Sequence, residues 1–390
     1  MNIADINLSQ LIFTAPRENK LNVDDLPFPD AGYDEMGYAE FVANQHPNYS
    51  FWYQNDFPRP YTFVSSRQCP FNCTFCYHFG KFRMRSIDNM IAEMKHAIEK
   101  YNVNYFYMVD DLWGLTKERL LEFCKKYKEL TKGKNIKWLT SLRVNMVDDE
   151  IMRALVEANC YAIGFGLESM SQAVLDSMNK HITPEQIDKA LKLCLKYKIN
   201  IQGSFIFGDP AETMETAMTT LEYYKNNCQG QPIFEFVKPY PNSPIYQYCL
   251  REGLIKDKME FIRNLTVMGT YVNMTKMPEE EFNKMRNLVM EYQTKCRKSV
   301  SPIYLKRDKK GFYSLSEKCP FCGYIEQRGN WEIPNRILYG YTVVCQKCYM
   351  RYYIASPLSL ILYRNYHKLY GFRIWKDKAV KKIKLIMNRK

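Results

Sequence analysis

From Tyr61 onward, short apolar runs alternate with longer stretches whose apolar residues recur at helical spacing. The pattern predicts strands over Tyr61–Ser65, Tyr105–Val109, Ile136–Ser141, Ala162–Leu167, Asn200–Phe207 and Ile233–Lys238. Between them it predicts helices over Asp88–Tyr101, Leu120–Leu130, Asp149–Ala158, Thr183–Lys198 and Glu212–Asn226. In the first helix, Met90, Ile91, Met94, Ala97 and Ile98 mark one apolar face. Thr183-Pro-Glu-Gln186 supplies an N-cap and a first-turn proline. Strands regularly separated by helices imply parallel βα units, so the expected fold class is α/β: a partial (open) β/α barrel. In such barrels chemistry sits at the C-terminal ends of the strands.

The flanks differ in texture. Residues 1–60 are rich in Pro, Asn and aromatics, with a proline-stiffened stretch at Leu26-Pro27-Phe28-Pro29-Asp30, and predict an extension and connector lying across the main domain. Residues 61–300 make the barrel and end in a further helix, Glu279–Lys298. Residues 301–356 predict a small four-cysteine, zinc-ribbon-like module, and 357–390 a basic amphipathic tail. The formal net charge is +13, of which +9 lies between Ser356 and Lys390, where ten Lys or Arg face the single acid Asp377. No apolar run is long enough to span a bilayer, and the N-terminus has no secretory signature. A cytoplasmic location is expected, peripheral at an anionic membrane if the tail lies on lipid. Contact of the tail with RNA or DNA is the weaker alternative, and a plain solvated helix the bland one.

Thirteen cysteines change the picture. Seven fall in tight clusters with metal-ligand spacing; the other six (Cys124, Cys160, Cys194, Cys228, Cys249, Cys296) are scattered and predict small core hydrophobes in a reducing compartment. Cys69-Pro-Phe-Asn-Cys73-Thr-Phe-Cys76 directly follows the first strand. Three thiolates on one tight loop can hold three irons of a cubane and leave the fourth open to a ligand. A zinc site would need a fourth donor, and His78, two residues past Cys76, is badly placed to supply it.

This loop resembles the defining C-x-x-x-C-x-aromatic-C loop of the radical S-adenosylmethionine (SAM) superfamily, with Phe75 in the aromatic position that borders the SAM adenine. The resemblance runs from about residue 22 to 300. It takes in Met108–Trp113, Ser141–Asn145, Ile163–Ser169, the Gly208–Thr213 turn and the Lys238–Pro244 turn, the last two with Ala211 and Asn242 where the family usually has a second glycine. The resemblance implies a 4Fe–4S cluster on Cys69, Cys73 and Cys76, with SAM bound near Phe75, Asp110, Asp111, Arg143 and Glu168. It also implies reductive SAM cleavage to a 5′-deoxyadenosyl radical that abstracts hydrogen from a substrate. Read without it, Asp110 or Asp111 could cap the next helix and Arg143 could be a surface cation. The subgroup most resembled is the cobalamin-dependent one. Its cobalamin-binding domain has no counterpart in the twenty or so residues before the connector, so cobalamin is expected only if another subunit supplies it.

Cys319-Pro-Phe-Cys322-Gly and Cys345-Gln-Lys-Cys348 form two knuckles suited to a tetrahedral ion. Structural zinc is the leading expectation; an auxiliary 4Fe–4S cluster or mononuclear iron are the rivals. The expected function is therefore a radical SAM enzyme acting on a small or carrier-linked metabolite, a sugar or lipid precursor among them, with an electron donor such as flavodoxin or ferredoxin. The alternatives are a radical SAM RNA-modifying enzyme and a non-catalytic Fe–S or zinc interaction protein.

Overall fold

The structure, a computed structural model, describes residues 22–30, 59–77, 80–265 and 271–365. Six strands, β1 (Pro60–Phe63), β2 (Tyr105–Met108), β3 (Lys137–Leu142), β4 (Cys160–Glu168), β5 (Asn200–Phe207) and β6 (Ile233–Phe236), form one sheet in sequence order. Every neighbouring pair is parallel, and β1 and β6 remain its edges, which gives the partial barrel the sequence implies. The helices are α1 (Ile87–Tyr101), α2 (Lys117–Leu130), α3 (Asp149–Glu157), α4 (Gln172–Ser177), α5 (Pro184–Tyr197), α6 (Met214–Asn227), α7 (Pro244–Arg251), α8 (Lys258–Asn264) and α9 (Glu279–Cys296). Their starts follow local chemistry. Thr183 and Gln186 close the capping box of α5 on each other's backbone N–H, with Pro184 in the first turn. Asp24 of the connector accepts from the Ser86 N–H at the mouth of α1, tying residues 22–30 to the barrel.

Side-chain alternation divides each strand between core and cavity. On β5, Ile201, Phe205 and Phe207 enter the core shared with the helices, while Gln202, Ser204 and Ile206 face the barrel interior. The outer core is densest where Trp113, Phe123 and Trp138 meet with ring centroids 4.9–5.4 Å apart. The Trp138 indole N–H reaches the Ala158 carbonyl at 2.6 Å, so its polar edge is satisfied inside the core. Five of the six scattered cysteines are buried, as small core residues, and Cys296 is partly so.

The C-terminal module consists of β7 (Ser299–Val300), β8 (Tyr304–Arg307), β9 (Tyr313–Lys318), β10 (Ile325–Trp331), β11 (Gly340–Val344), β12 (Arg351–Ala355) and helix α10 (Pro357–Arg364). Within it, Ser299 and Val300 pair in parallel with β12. Its own core contains Tyr313, Trp331 and Tyr339, so these aromatics pack rather than line a groove. The module closes the N-terminal mouth of the barrel. Lys137 donates to the Tyr349 hydroxyl at 2.9 Å, and Asn200 donates to the Tyr349 carbonyl at 2.8 Å. Arg351, fully buried, donates to the Gln231 and Ile201 carbonyls and to the Gln202 side-chain oxygen at 3.3 Å. The module is thus the floor beneath Gln202. Burial holds the Arg351 guanidinium below its usual range, at about 10.

Replacing Trp138 by Ala deletes a fully buried ring and its hydrogen bond. Urea denaturation should show a loss of about 3–5 kcal/mol; a loss below about 1 kcal/mol would mean that the cluster is not a core element.

Candidate active site

The loop carrying Cys69, Cys73 and Cys76 is held from several sides. Its entry is fixed by Asp110, whose carboxylate accepts from the Ser65 N–H at 2.8 Å and the Ser66 hydroxyl at 2.7 Å. Its middle hangs on the α4–α5 connector: the Thr74 N–H donates to the Met178 carbonyl at 3.0 Å, and the Asn179 amide donates to the Asn72 carbonyl at 2.9 Å. The Thr74 carbonyl in turn accepts the Ile245 N–H at the start of α7, at 2.9 Å. Asp209 in the turn after β5 supports the connector by accepting from the Ser177 hydroxyl at 2.5 Å.

This loop roofs an open cavity of about 490 Å³ at the C-terminal ends of the strands. All three cysteines line it, together with Phe75, Asp111, Arg143, Glu168 and Lys180, and with Ser141, Gln202 and Ser204 deeper in the barrel. Of the residues expected to hold the cluster and SAM, Asp110 alone is not on the wall; it is buried beneath the loop entry, where desolvation raises its carboxyl against the hydrogen bonds from Ser66 and Ser65. It does not cap a helix either, since α2 is capped by Thr116.

Glu168 reaches the cavity through a backbone irregularity. The β4–β5 register shifts between Gly166 and Glu168, and Glu168 takes a left-handed φ of 60°. A bulge of this kind re-aims a side chain, and a non-glycine residue at positive φ persists only where its surroundings hold it. Lys180, from the connector, pairs with one Glu168 oxygen; the other is buried with no partner among the described residues. A Cβ on Gly166 would meet the Glu168 carboxylate and the Lys180 ammonium, so a side chain there would displace this pair.

Arg143 works on two sides. Its guanidinium lies over the Phe71 ring of the cysteine loop at 3.8 Å and donates to the carbonyls of Lys180 and His181. Burial alone would depress the Lys180 ammonium, but the charges of Glu168 and Cys73 outweigh it and raise it. A hydrogen bond from Cys76 lowers the Cys73 thiol, and Lys180 and Arg143 then lower it further, against burial. While burial raises the Cys69 thiol and the hydrogen bond with Cys73 raises that of Cys76, the cavity wall favours thiolate at Cys73, the form that binds iron. It also offers a free carboxylate oxygen and bare glycine backbone, a set that accepts an ammonium-bearing ligand beside a thiolate-bound cluster. Sequence reasoning missed Lys180: a lysine in a connector carries no mark of burial.

The second cysteine group is already assembled. The ligand atoms of Cys319, Cys322, Cys345 and Cys348 all lie within 4.8 Å of one another, with Cys319–Cys348 and Cys322–Cys345 sulfur distances of 3.7 Å. Tetrahedral zinc with bonds near 2.3 Å needs sulfurs about 3.8 Å apart, so the quartet matches a single ion. Gly323, at a φ of 73°, allows the first knuckle to turn. Among the described residues this is the one group of three or more such ligands close enough to hold an ion.

Residues 63–224 match the radical SAM superfamily. An uncharacterised methyltransferase of Pyrococcus horikoshii is 31% identical over 62% of this chain and 50% of its own length. Bacteriochlorophyllide d C-8(2)-methyltransferase of Chlorobaculum tepidum is 32% identical over 49% of this chain and 44% of its own. Cytidylyl-2-hydroxyethylphosphonate methyltransferase of Streptomyces wedmorensis is 24% identical over 61% and 48%. The chain spans about half the length of the curated relatives it matches. Among solved structures, the radical SAM methyltransferase TsrM of Kitasatospora setae, with cobalamin and a [4Fe-4S] cluster bound, aligns at a TM-score of 0.45 and 15% identity, covering 49% of this chain and 36% of that one.

Lys180→Met leaves the buried Glu168 carboxylate without its cation. Breaking a buried pair in this way should cost about 3–5 kcal/mol, read as a lower thermal midpoint at pH 7. A midpoint equal to wild type would show that the pair does not hold the wall.

Proposed function

We propose that this chain is a radical SAM enzyme in which Cys69, Cys73 and Cys76 hold a 4Fe–4S cluster with one open iron and SAM occupies the adjoining cavity. The observation that carries the reading is the convergence of the three thiols with Arg143, Glu168 and Lys180 on one cavity at the strand ends. When bound, cluster and SAM supply a 5′-deoxyadenosyl radical on one-electron reduction. The chain's own residues bind and orient. The unpartnered Glu168 oxygen accepts from the SAM ammonium, Lys180 and Arg143 offset the negative charge of the thiolates, and Phe75 borders the adenine. Asp111 supplies a further acceptor at the rim, while Asp110 acts through the loop it anchors. Ser141, Gln202 and Ser204 line the deeper barrel and meet the substrate's polar groups. The substrate is a small or carrier-linked metabolite, a sugar or lipid precursor among them, and the electron comes from a flavodoxin- or ferredoxin-type donor.

The quartet holds structural zinc in this reading, supported by its sulfur spacing. The names of several relatives, which are methyltransferases, favour a second reading of the outcome, methyl transfer to the substrate. S-adenosylhomocysteine among the products, beside 5′-deoxyadenosine, would select it.

Cys73→Ala should abolish both the iron signature and 5′-deoxyadenosine formation while leaving the metal at the quartet in place. Retained cleavage in that variant would break the assignment. Glu168→Ala should keep its iron but bind SAM at least about tenfold more weakly, the loss of one charged hydrogen bond; unchanged affinity would remove Glu168 from the SAM site.

A further inference from the structure

Helix α10 is apolar on both sides. Its inner side packs Leu360 into the module and stacks the Tyr363 ring on Tyr353 at 4.5 Å. Its outer side exposes Leu358, Ile361 and Leu362 at 43, 60 and 41%. These are positions i, i+3 and i+4, a single stripe. A soluble helix normally puts charge on that side.

Neighbouring segments extend the stripe. Ser356, the α10 cap, donates to the Ile337 carbonyl at 2.5 Å, and Ser301 donates to the Ala355 carbonyl at 3.0 Å. Gly340 pairs with Ala355. One end of the β11–β12–β7 sheet therefore gathers the α10 stripe with Ile337 and Ile303, exposed at 65 and 64%. A patch of this kind on a folded domain marks an interaction site.

Charge selects the partner. The segments 301–307, 333–341 and 356–365 contain no acidic residue and carry Lys306, Arg307, Arg336 and Arg364. The chain then runs directly into 366–390, with nine Lys or Arg against one Asp. Aliphatic side chains ringed by cations suit the interface of an anionic bilayer, where chains sink among lipid tails and the rim meets phosphate. Nucleic acid fits less well, since leucine and isoleucine offer no stacking platform for bases. A second copy fits less well again, since the same basic rim would face itself across a two-fold interface.

We propose that this end of the module, with α10 at its centre, is a docking surface for anionic lipid bilayers. It holds the enzyme at a membrane independently of the radical reaction.

The test is cosedimentation of the full-length, metal-loaded protein with vesicles of phosphatidylcholine alone or mixed with phosphatidylglycerol. A triple variant, Leu358→Ser, Ile361→Ser and Leu362→Ser, alters exposed positions only; unchanged circular dichroism and metal content confirm its fold. Wild type should bind the anionic vesicles, less at high salt, and the triple variant should bind them about tenfold or more weakly. Any of three results would overturn the proposal. These are no binding of wild type to anionic vesicles, equal binding by the triple variant, or a wild-type dimer in solution that the triple variant dissolves. Salt-sensitive retention of RNA without vesicle binding falls under the first and points to nucleic acid. The readout does not use SAM cleavage, so failure of the catalytic reading would leave it unaffected.

Discussion

The buried pair of Glu168 and Lys180 is the contact on which the site depends. It joins the end of β4 to the connector between α4 and α5, and that connector also holds the cysteine loop through Met178 and Asn179. Arg143, from the end of β3, grips the carbonyls on either side of the joint and stacks on Phe71 of the same loop. Two strand ends, the connector and the cysteine loop are therefore locked by a few charged side chains in a desolvated wall. Two buried cations near three thiols would be costly in isolation; Glu168 and the thiolate character of Cys73 offset that cost. One Glu168 oxygen in this wall has no partner among the described residues.

Beneath this wall the barrel is stoppered by a separate module. Tyr349 directly follows the last cysteine of the quartet, and Arg351 is two residues on. Both reach the N-terminal ends of barrel strands, and Arg351 touches Gln202 on the cavity floor. A metal that fixes the knuckles thereby fixes the floor.

The parallel strands, the cysteine loop and the four-cysteine knuckles were legible in the sequence, because each has a periodicity or spacing with few physical explanations. Glu168 was legible as a strand-end acid after two glycines, but the bulge that aims it was not, since register is a property of two strands together. Lys180 and Gln202 carried no signal: one looks like any surface lysine, the other like any polar strand residue. Asp110 was found in the right motif with the wrong neighbours, because which of two adjacent acids turns inward depends on the Ser65–Ser66 backbone opposite. The short helices α4, α7 and α8 escaped notice because seven or so residues give too little periodicity to detect. The basic tail beyond residue 365, expected to lie on a membrane, falls outside the described residues.

The most direct test of the central claim is electron paramagnetic resonance on anaerobically reconstituted, dithionite-reduced protein, before and after adding SAM, with iron, sulfide and zinc counted in the same sample. A site-differentiated cluster predicts four irons and one zinc per chain, together with a reduced-cluster signal whose shape changes when SAM binds the open iron. Iron-free protein, or a cluster signal that SAM leaves unmoved, would contradict the account.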